Sequence, residues 1–412
     1  MLLHRRSQRL PIALALTCAS LSACSPSRMS PGVQAALTRE APDPLPQNTL
    51  QSSDGQIRGS VESAAPPLVS RGGDDPSDPT GYAFEIPIGV DEPIRCHVTG
   101  KPFAIGPAAA RMLSDKLVDA STGQRVAGLE AGAVGSRPYL YAHVVGTAPQ
   151  LGHKALYQAK FFFAPLRFGA MHCMHVGLGY SATVRRVLVG LLGSLEFAPQ
   201  ADALPPTYHE VTLTRVGSLT CGFNETRFYQ RADGGWGTVM RSVLVAPRSA
   251  SDVVGLDQVR VTSADGNGVV DHAASDSFEG KTQRYSLALE RAPQGFTYTL
   301  SGEVHGRAIE NTLASHAPLR DDVSLARQIA AGTNGGSWSM PQWMPELQPL
   351  SSVDVQVTCP AREGSEDVAC DIAAGKVHYE ALIDANGMAR RTTLKDGPVE
   401  LETERVYAHG RF

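Results

Sequence analysis

Arg284-Tyr285-Ser286-Leu287-Ala288-Leu289 and, after the turn at Pro293-Gln294-Gly295, Phe296-Thr297-Tyr298-Thr299-Leu300-Ser301 are the stretches whose alternation decides the fold. Tyr285, Leu287 and Leu289 fall on one side of an extended chain, and Phe296, Tyr298 and Leu300 do the same on the return. Arg284, Ser286, Thr297, Thr299 and Ser301 point the other way, so the pattern is an antiparallel sheet that is apolar on one side and wet on the other. The same pattern extends outward. Strands are expected at 211–216, at 227–231 and 238–245 around Asp233-Gly234-Gly235, and at 258–262 before the turn Asp265-Gly266-Asn267-Gly268. The Asn386-Gly387 hairpin and a strand at 399–408 end the chain.

Towards the N-terminus, 82–88, 94–98, 139–145, 160–163 and 169–176 read as strands separated by Pro and Gly clusters, with a hairpin at 116–126 around Thr122-Gly123. Two helices interrupt them. Val184, Val187, Leu188, Leu191, Leu192 and Leu195 recur at three-and-four spacing beside Arg185 and Arg186, with Ser181 or Thr183 available as cap. A shorter helix at 323–330 is capped by Asp322 and stopped by Gly332. The expected class is therefore α+β and sheet-rich, antiparallel β meanders each with one short packing helix. The expected domains are 81–203, α+β, and 204–412, mainly antiparallel β with a short helix, joined by a surface connection at 199–206.

The first 80 residues differ in kind. Arg5, Arg6 and Arg9 precede a mostly apolar stretch at 10–21, shorter than the roughly 20 residues of a spanning helix. This reads as a signal peptide over 1–23. Leu21-Ser22-Ala23-Cys24 resembles the lipobox of bacterial membrane lipoproteins. That resemblance implies cleavage after Ala23, a diacylglycerol thioether and an acylated amine (palmitate among the acyl chains) on Cys24, and, with Ser25 in place of Asp, an outer-membrane address facing the periplasm or the surface. Each buried methylene of such chains contributes about 0.8 kcal/mol to membrane attachment. Residues 24–80, rich in Pro, Ser, Gly and Asp, are expected to form a disordered tether with an r.m.s. span of about 40 Å.

Loss of Arg5, Arg6 and Arg9 takes the formal charge from −4 to −7, which argues against nucleic acid as a partner. Of seven cysteines, Cys18 leaves with the signal peptide and Cys24 is taken by lipid. In an oxidising compartment the remaining five favour disulfides. Cys359 and Cys370 bracket a polar, turn-like insertion and are expected to pair, a closure that contributes about 2 to 3 kcal/mol. Two of Cys96, Cys173 and Cys221 are left to pair, and Cys173 with Cys221 is the reading adopted, both standing in strand-like segments.

Candidate chemistry is sparse. In Met171-His172-Cys173-Met174-His175 a strand places Met171, Cys173 and His175 on one face, a soft donor set suited to Cu(I), and a disulfide at Cys173 would end that reading. His97, beside Cys96, would join it only if the fold brought the two strands together. Asp265 to Asp271 alternates oxygens like a calcium loop, but Val269 stands at its fifth position and Asp276 at its twelfth, so a plain turn is expected. Ser315-His316 with Asp321 and Asp322 has the side chains of a triad without evidence of convergence. Trp338 and Trp343, in a Pro-broken loop, are candidates for ligand stacking. No nucleophile elbow, P-loop, dinucleotide fingerprint or HExxH motif is present, so no catalytic residue and no cofactor is assigned. The expectation is an outer-membrane lipoprotein with a non-enzymatic binding or envelope-structural role, its partners being the membrane through the lipid and an envelope protein, glycan or hydrophobic ligand. The rival expectations are a polysaccharide or peptidoglycan hydrolase with two carboxylates facing each other near the Trp loop, and a periplasmic carrier of copper or a hydrophobic ligand.

Overall fold

The computed structural model describes residues 31–41, 44–71, 81–99, 124–150, 153–166, 169–198, 205–249, 252–280, 282–293, 295–364, 366–396 and 399–411. Cys24, the expected signal peptide, most of the expected 116–126 hairpin and part of the expected 199–206 connection lie outside them.

After a short helix α1 (Pro31–Leu37), the chain forms β1 (Gln47–Gln51), β2 (Ile57–Glu62), β3 (Leu68–Arg71), β4 (Tyr82–Ile86) and β5 (Ile94–Val98). Then come β6 (Arg125–Val134), β7 (Arg137–Gln150), β8 (His153–Leu166), β9 (Gly169–Val176), helix α2 (Ser181–Ser194) and β10 (Glu196–Phe197). β3 to β9 build a seven-stranded sheet in the order β3-β4-β5-β9-β8-β7-β6, and β1, β2 and β10 a small sheet beside it. One face of the larger sheet meets α2 and the small sheet in a core that includes Leu50, Ile57, Phe84, Phe162, Val187 and Leu191. Residues 47–71, expected as tether, are therefore part of the folded body. Their composition is loop-like, but the short alternation around Leu50, Ile57 and Val61 supplies apolar side chains that bury completely against α2.

The rest of the chain is one continuous ribbon. It runs through β11 (Tyr208–Val216), β12 (Leu219–Gln230), β13 (Trp236–Ser249), β14 (Asp252–Ala264), β15 (Val270–Glu279), β16 (Thr282–Arg291), β17 (Thr297–Val304) and β18 (Arg307–Ala314). After helix α3 (Asp322–Ala331) follow β19 (Gly336–Gln342), β20 (Val353–Cys359), β21 (Val368–Ala374), β22 (Val377–Ile383), β23 (Ala389–Asp396) and β24 (Val399–Gly410). Each strand pairs with its sequence neighbour, and β24 returns to pair with β11, which fuses the two meanders into one 14-stranded antiparallel sheet with β18 and β19 at its edges. Arg320 bridges Val269 and donates its backbone N–H to Pro341, so the two arms meet around the approach to α3. Val323 packs with Tyr208, Phe228 and Trp236, and Ile329 with the core of β20 to β22, which places α3 between the arms of the curled sheet. Gly387, at φ +77°, turns the β22–β23 hairpin against α3, where an added Cβ would lie 1.9 Å from the Ala326 carbonyl oxygen. The other side of β11 to β13 packs Phe223, Val243 and Val245 onto Leu140, Phe161 and Phe163 of the seven-stranded sheet.

Strands occupy 62% of the described residues and there are three helices among them, so the class is nearly all β, and the α+β expectation is corrected. Helices do form where the periodicity places them, but α2 and α3 each bury one apolar stripe and cover only part of sheets of seven and fourteen strands. The alternation at 285–300 holds, with Tyr285, Leu287, Leu289, Tyr298 and Leu300 buried, whereas Phe296 precedes β17 and is exposed. The cap of α2 is also different from expectation. Tyr180 holds the N-cap position in the left-handed region, and the Glu40 carboxylate accepts from the backbone N–H groups of Ala182 and Thr183 at 3.0 and 2.8 Å. A distant acid thereby satisfies two orphan donors and complements the positive helix end.

Candidate functional site

The segment Met171 to His175 is the middle of β9, and its two faces meet different surroundings. Met171, Cys173 and His175 are buried on the side facing α2. Strand β5 pairs with β9 so that Cys96 stands opposite Cys173, and the two are joined in a disulfide with Cα atoms 4.0 Å apart and a sequence separation of 77. The pairing of Cys173 with Cys221 is thus corrected. Cys221 lies in β12 of the other sheet, buried beside Val216 and Ala246, and belongs to neither disulfide. Cys359 and Cys370 are bonded across β20 and β21, with a sequence separation of 11.

The Met171-Cys173-His175 metal set is removed by the same bond, since Cys173 offers no thiolate. His175 has a cation for a neighbour already. Lys160, directly across on β8 and fully buried, places Nζ 3.4 Å from His175 Nδ1 and donates to the Gly177 carbonyl. Burial first, then the Lys160 charge, pushes the imidazole down to about 4, and burial holds the Lys160 ammonium down at about 8. Both are effects of placing ionisable groups in a dry core.

The opposite face of these strands is covered along β7 and β8 by the 14-stranded sheet and forms a groove towards β3, β4 and β5. His97 stands opposite His172, and Phe161 opposite Met174, so His97, His172, Met174 and Phe161 share one side. With Leu68 from the edge strand β3 they line a groove of about 630 Å³. Leu68 is 69% exposed, an unusual setting for leucine on a sheet edge. The His172 ring meets Phe163 edge-on, centroids 5.1 Å apart. The buried Nε2 of His97 has no hydrogen-bond partner among the described residues. The signal for this pair is in the sequence: Cys96-His97 and His172-Cys173 are reversed dipeptides, and antiparallel pairing of the cysteines brings the histidines opposite each other.

The remaining candidates take structural places. Trp343 is buried in the core of β15 to β18, and Trp338 packs on the core of β20 to β22, its ring closing on Gly332. Asp265 Oδ1 accepts from the backbone N–H groups of Asn267 and Val269, while Arg291 binds Asp265 and Asp271 at 3.2 Å each, making this segment a tied turn. Asp321 caps α3 by accepting from Ser324, Asp322 pairs with Arg260, and His316 approaches Asp354, so Ser315, His316 and these acids form no triad. Near Trp343, Asp322 and Glu346 lie 3.0 and 3.6 Å from the buried Arg260, neutralised by one guanidinium instead of facing each other across a cleft. A second buried network, invisible in the sequence, lies at the β11–β24 junction: Tyr208 donates to Glu210 at 2.7 Å, and Arg405 reaches Glu210 at 3.7 Å and Asp384 at 2.6 Å. Burial pushes Glu210 up to about 7 against the opposing pull of Tyr208 and Arg405.

No family model matches the chain, and no curated protein matches it. Among solved structures, a beta-barrel-like protein of domain of unknown function DUF1849 from Brucella abortus is 13% identical, covering 49% of this chain and 97% of its own, with a TM-score of 0.40. A protein from Bacteroides thetaiotaomicron is 13% identical over 40% of this chain and 52% of its own, with a TM-score of 0.25. A DUF1089 family protein from Pseudomonas aeruginosa is 12% identical over 47% of this chain and 94% of its own, also with a TM-score of 0.25.

Proposed function

We propose that this chain is a lipid-anchored lipoprotein of the outer membrane whose body binds a ligand or partner of the envelope and does not catalyse a reaction. The observation that carries the anchoring is the order of Arg5, Arg6 and Arg9, a short apolar run and Leu21-Ser22-Ala23-Cys24. The Cys96–Cys173 and Cys359–Cys370 disulfides support an oxidising compartment. Among the described residues no helix is long and apolar enough to cross a membrane. A binding role is supported by the groove of Leu68, Phe161, Met174 and the two histidines, while Asp322 and Glu346 are both engaged by the buried Arg260.

Metabolic labelling with palmitate, followed by membrane fractionation on a density gradient, tests the anchor. The native chain is expected to take up label and to sediment with outer membrane, and Cys24→Ala to lose both. Unlabelled native protein, or label that persists in Cys24→Ala, overturns the proposal.

A further inference from the structure

We infer that His97, His172 and Met174 form a binding site for a soft monovalent metal ion, Cu(I), on the groove face of the seven-stranded sheet. The site is independent of the lipid anchor and lies on the face opposite the Met171-Cys173-His175 set. Register brings the donors together. His97 and His172 are direct cross-strand partners, and Met174 is the next residue of β9 on the same side. Directly opposed residues of an antiparallel pair have Cβ atoms about 4.5 to 5.5 Å apart and diagonal neighbours about 7 to 8 Å, spans from which two imidazoles and a thioether converge on one ion.

The chemistry matches. Imidazole suits copper and thioether selects its reduced form, whereas the thiolate that would compete is consumed in the Cys96–Cys173 bond. That bond joins β5 to β9 one residue from each histidine, so the strands that carry the donors are stapled before any ion arrives. His97 Nε2, buried and without a hydrogen-bond partner among the described residues, is a donor atom whose lone pair or proton is otherwise unmet. Phe161 and Phe163 pack around the donors on the neighbouring strand and supply the apolar shell that favours a singly charged ion over a hydrated divalent one. Arg95, the cross-strand partner of Met174 on this face, is held by Glu85 at 3.2 Å and Glu92 at 3.3 Å, which offsets its charge.

The test is an anaerobic titration of the detergent-solubilised full chain with Cu(I), ascorbate keeping it reduced and bicinchoninate competing, followed by X-ray absorption at the copper edge. One equivalent is expected to bind with nitrogen and sulfur neighbours. Met174→Leu, which conserves volume, and His97→Gln are each expected to weaken binding at least about tenfold, in line with the usual penalty for disturbing a metal site. Met171→Leu, the same change on the opposite face, should leave it unaltered. Thermal midpoints within a few degrees of native establish that the variants fold. Failure of the native chain to compete for Cu(I), binding unchanged in folded Met174→Leu and His97→Gln, or equal weakening by Met171→Leu would each overturn the assignment.

Discussion

Removal of the Cys96–Cys173 disulfide as the pair Cys96→Ala/Cys173→Ala is expected to cost far more than removal of Cys359–Cys370 by the same double change. In the chain-entropy description a cross-link stabilises by shrinking the unfolded ensemble, and the gain rises with the logarithm of the loop closed. A sequence separation of 77 gives about 4.5 kcal/mol at 25 °C. A separation of 11 gives about 2.8 kcal/mol, a difference of about 1.7 kcal/mol. All four cysteines are at most 6% exposed, so the loss of buried sulfur enters both variants similarly and largely cancels from the comparison. The assay is equilibrium unfolding in urea, followed in parallel by far-ultraviolet circular dichroism and tryptophan fluorescence. The chain has three tryptophans, Trp236, Trp338 and Trp343, and all belong to the 14-stranded sheet or pack on it. Fluorescence therefore reports that sheet, while dichroism reports both. If the sheets unfold separately, Cys96→Ala/Cys173→Ala should shift the dichroism transition and spare the fluorescence transition; if they unfold together, both should shift equally. A loss for Cys359→Ala/Cys370→Ala equal to or greater than that for Cys96→Ala/Cys173→Ala would refute the loop-length reasoning.

Three further outcomes follow from particular contacts. Glu40→Ala should destabilise the chain by about 1 to 2 kcal/mol in urea unfolding, because Ala182 and Thr183 lose the carboxylate that caps α2. Gly387→Ala should cost at least about 2 kcal/mol, since a left-handed φ and contact with the Ala326 carbonyl oppose any side chain there, and a smaller change in unfolding free energy would count against the packing of this hairpin on α3. Glu210 is pushed up to about 7 in the fold against 4.5 as its ordinary value, so the native state keeps a proton that the unfolded state has released. Stability is then lost as pH rises from about 4.5 to about 7, and unfolding of Glu210→Gln measured across that window should fall less steeply than that of the native chain.

Much of the local structure was readable because its causes are local. Alternation marked β5 and β9 with the bounds found, three-and-four spacing marked α2, and the polar insertion between Cys359 and Cys370 marked a closed hairpin. The strands at 47–71 escape a reading by composition because their few apolar members find cover only when α2 arrives from more than a hundred residues away. The α2 cap failed for the same reason, its acceptor being Glu40 and not a neighbour. The groove pair was within reach, since the reversed dipeptides Cys96-His97 and His172-Cys173 imply each other once β5 and β9 are antiparallel. What hid it was the partner of Cys173, which no local pattern specifies.

By itself, the sequence determined those strands whose alternation is sustained, such as β5, β9 and β16, and the apolar stripe of α2, and it carries the motif on which the proposed address rests, because each depends on residues adjacent or a few positions apart. The tertiary structure decided that β24 returns to β11, that two meanders become one 14-stranded sheet, that Cys173 meets Cys96, and that Glu210, Arg405 and Asp384 share a buried site. Those pairings join residues far apart in the chain, and their selection rests on the burial and register of the whole assembly, which no short window of sequence contains.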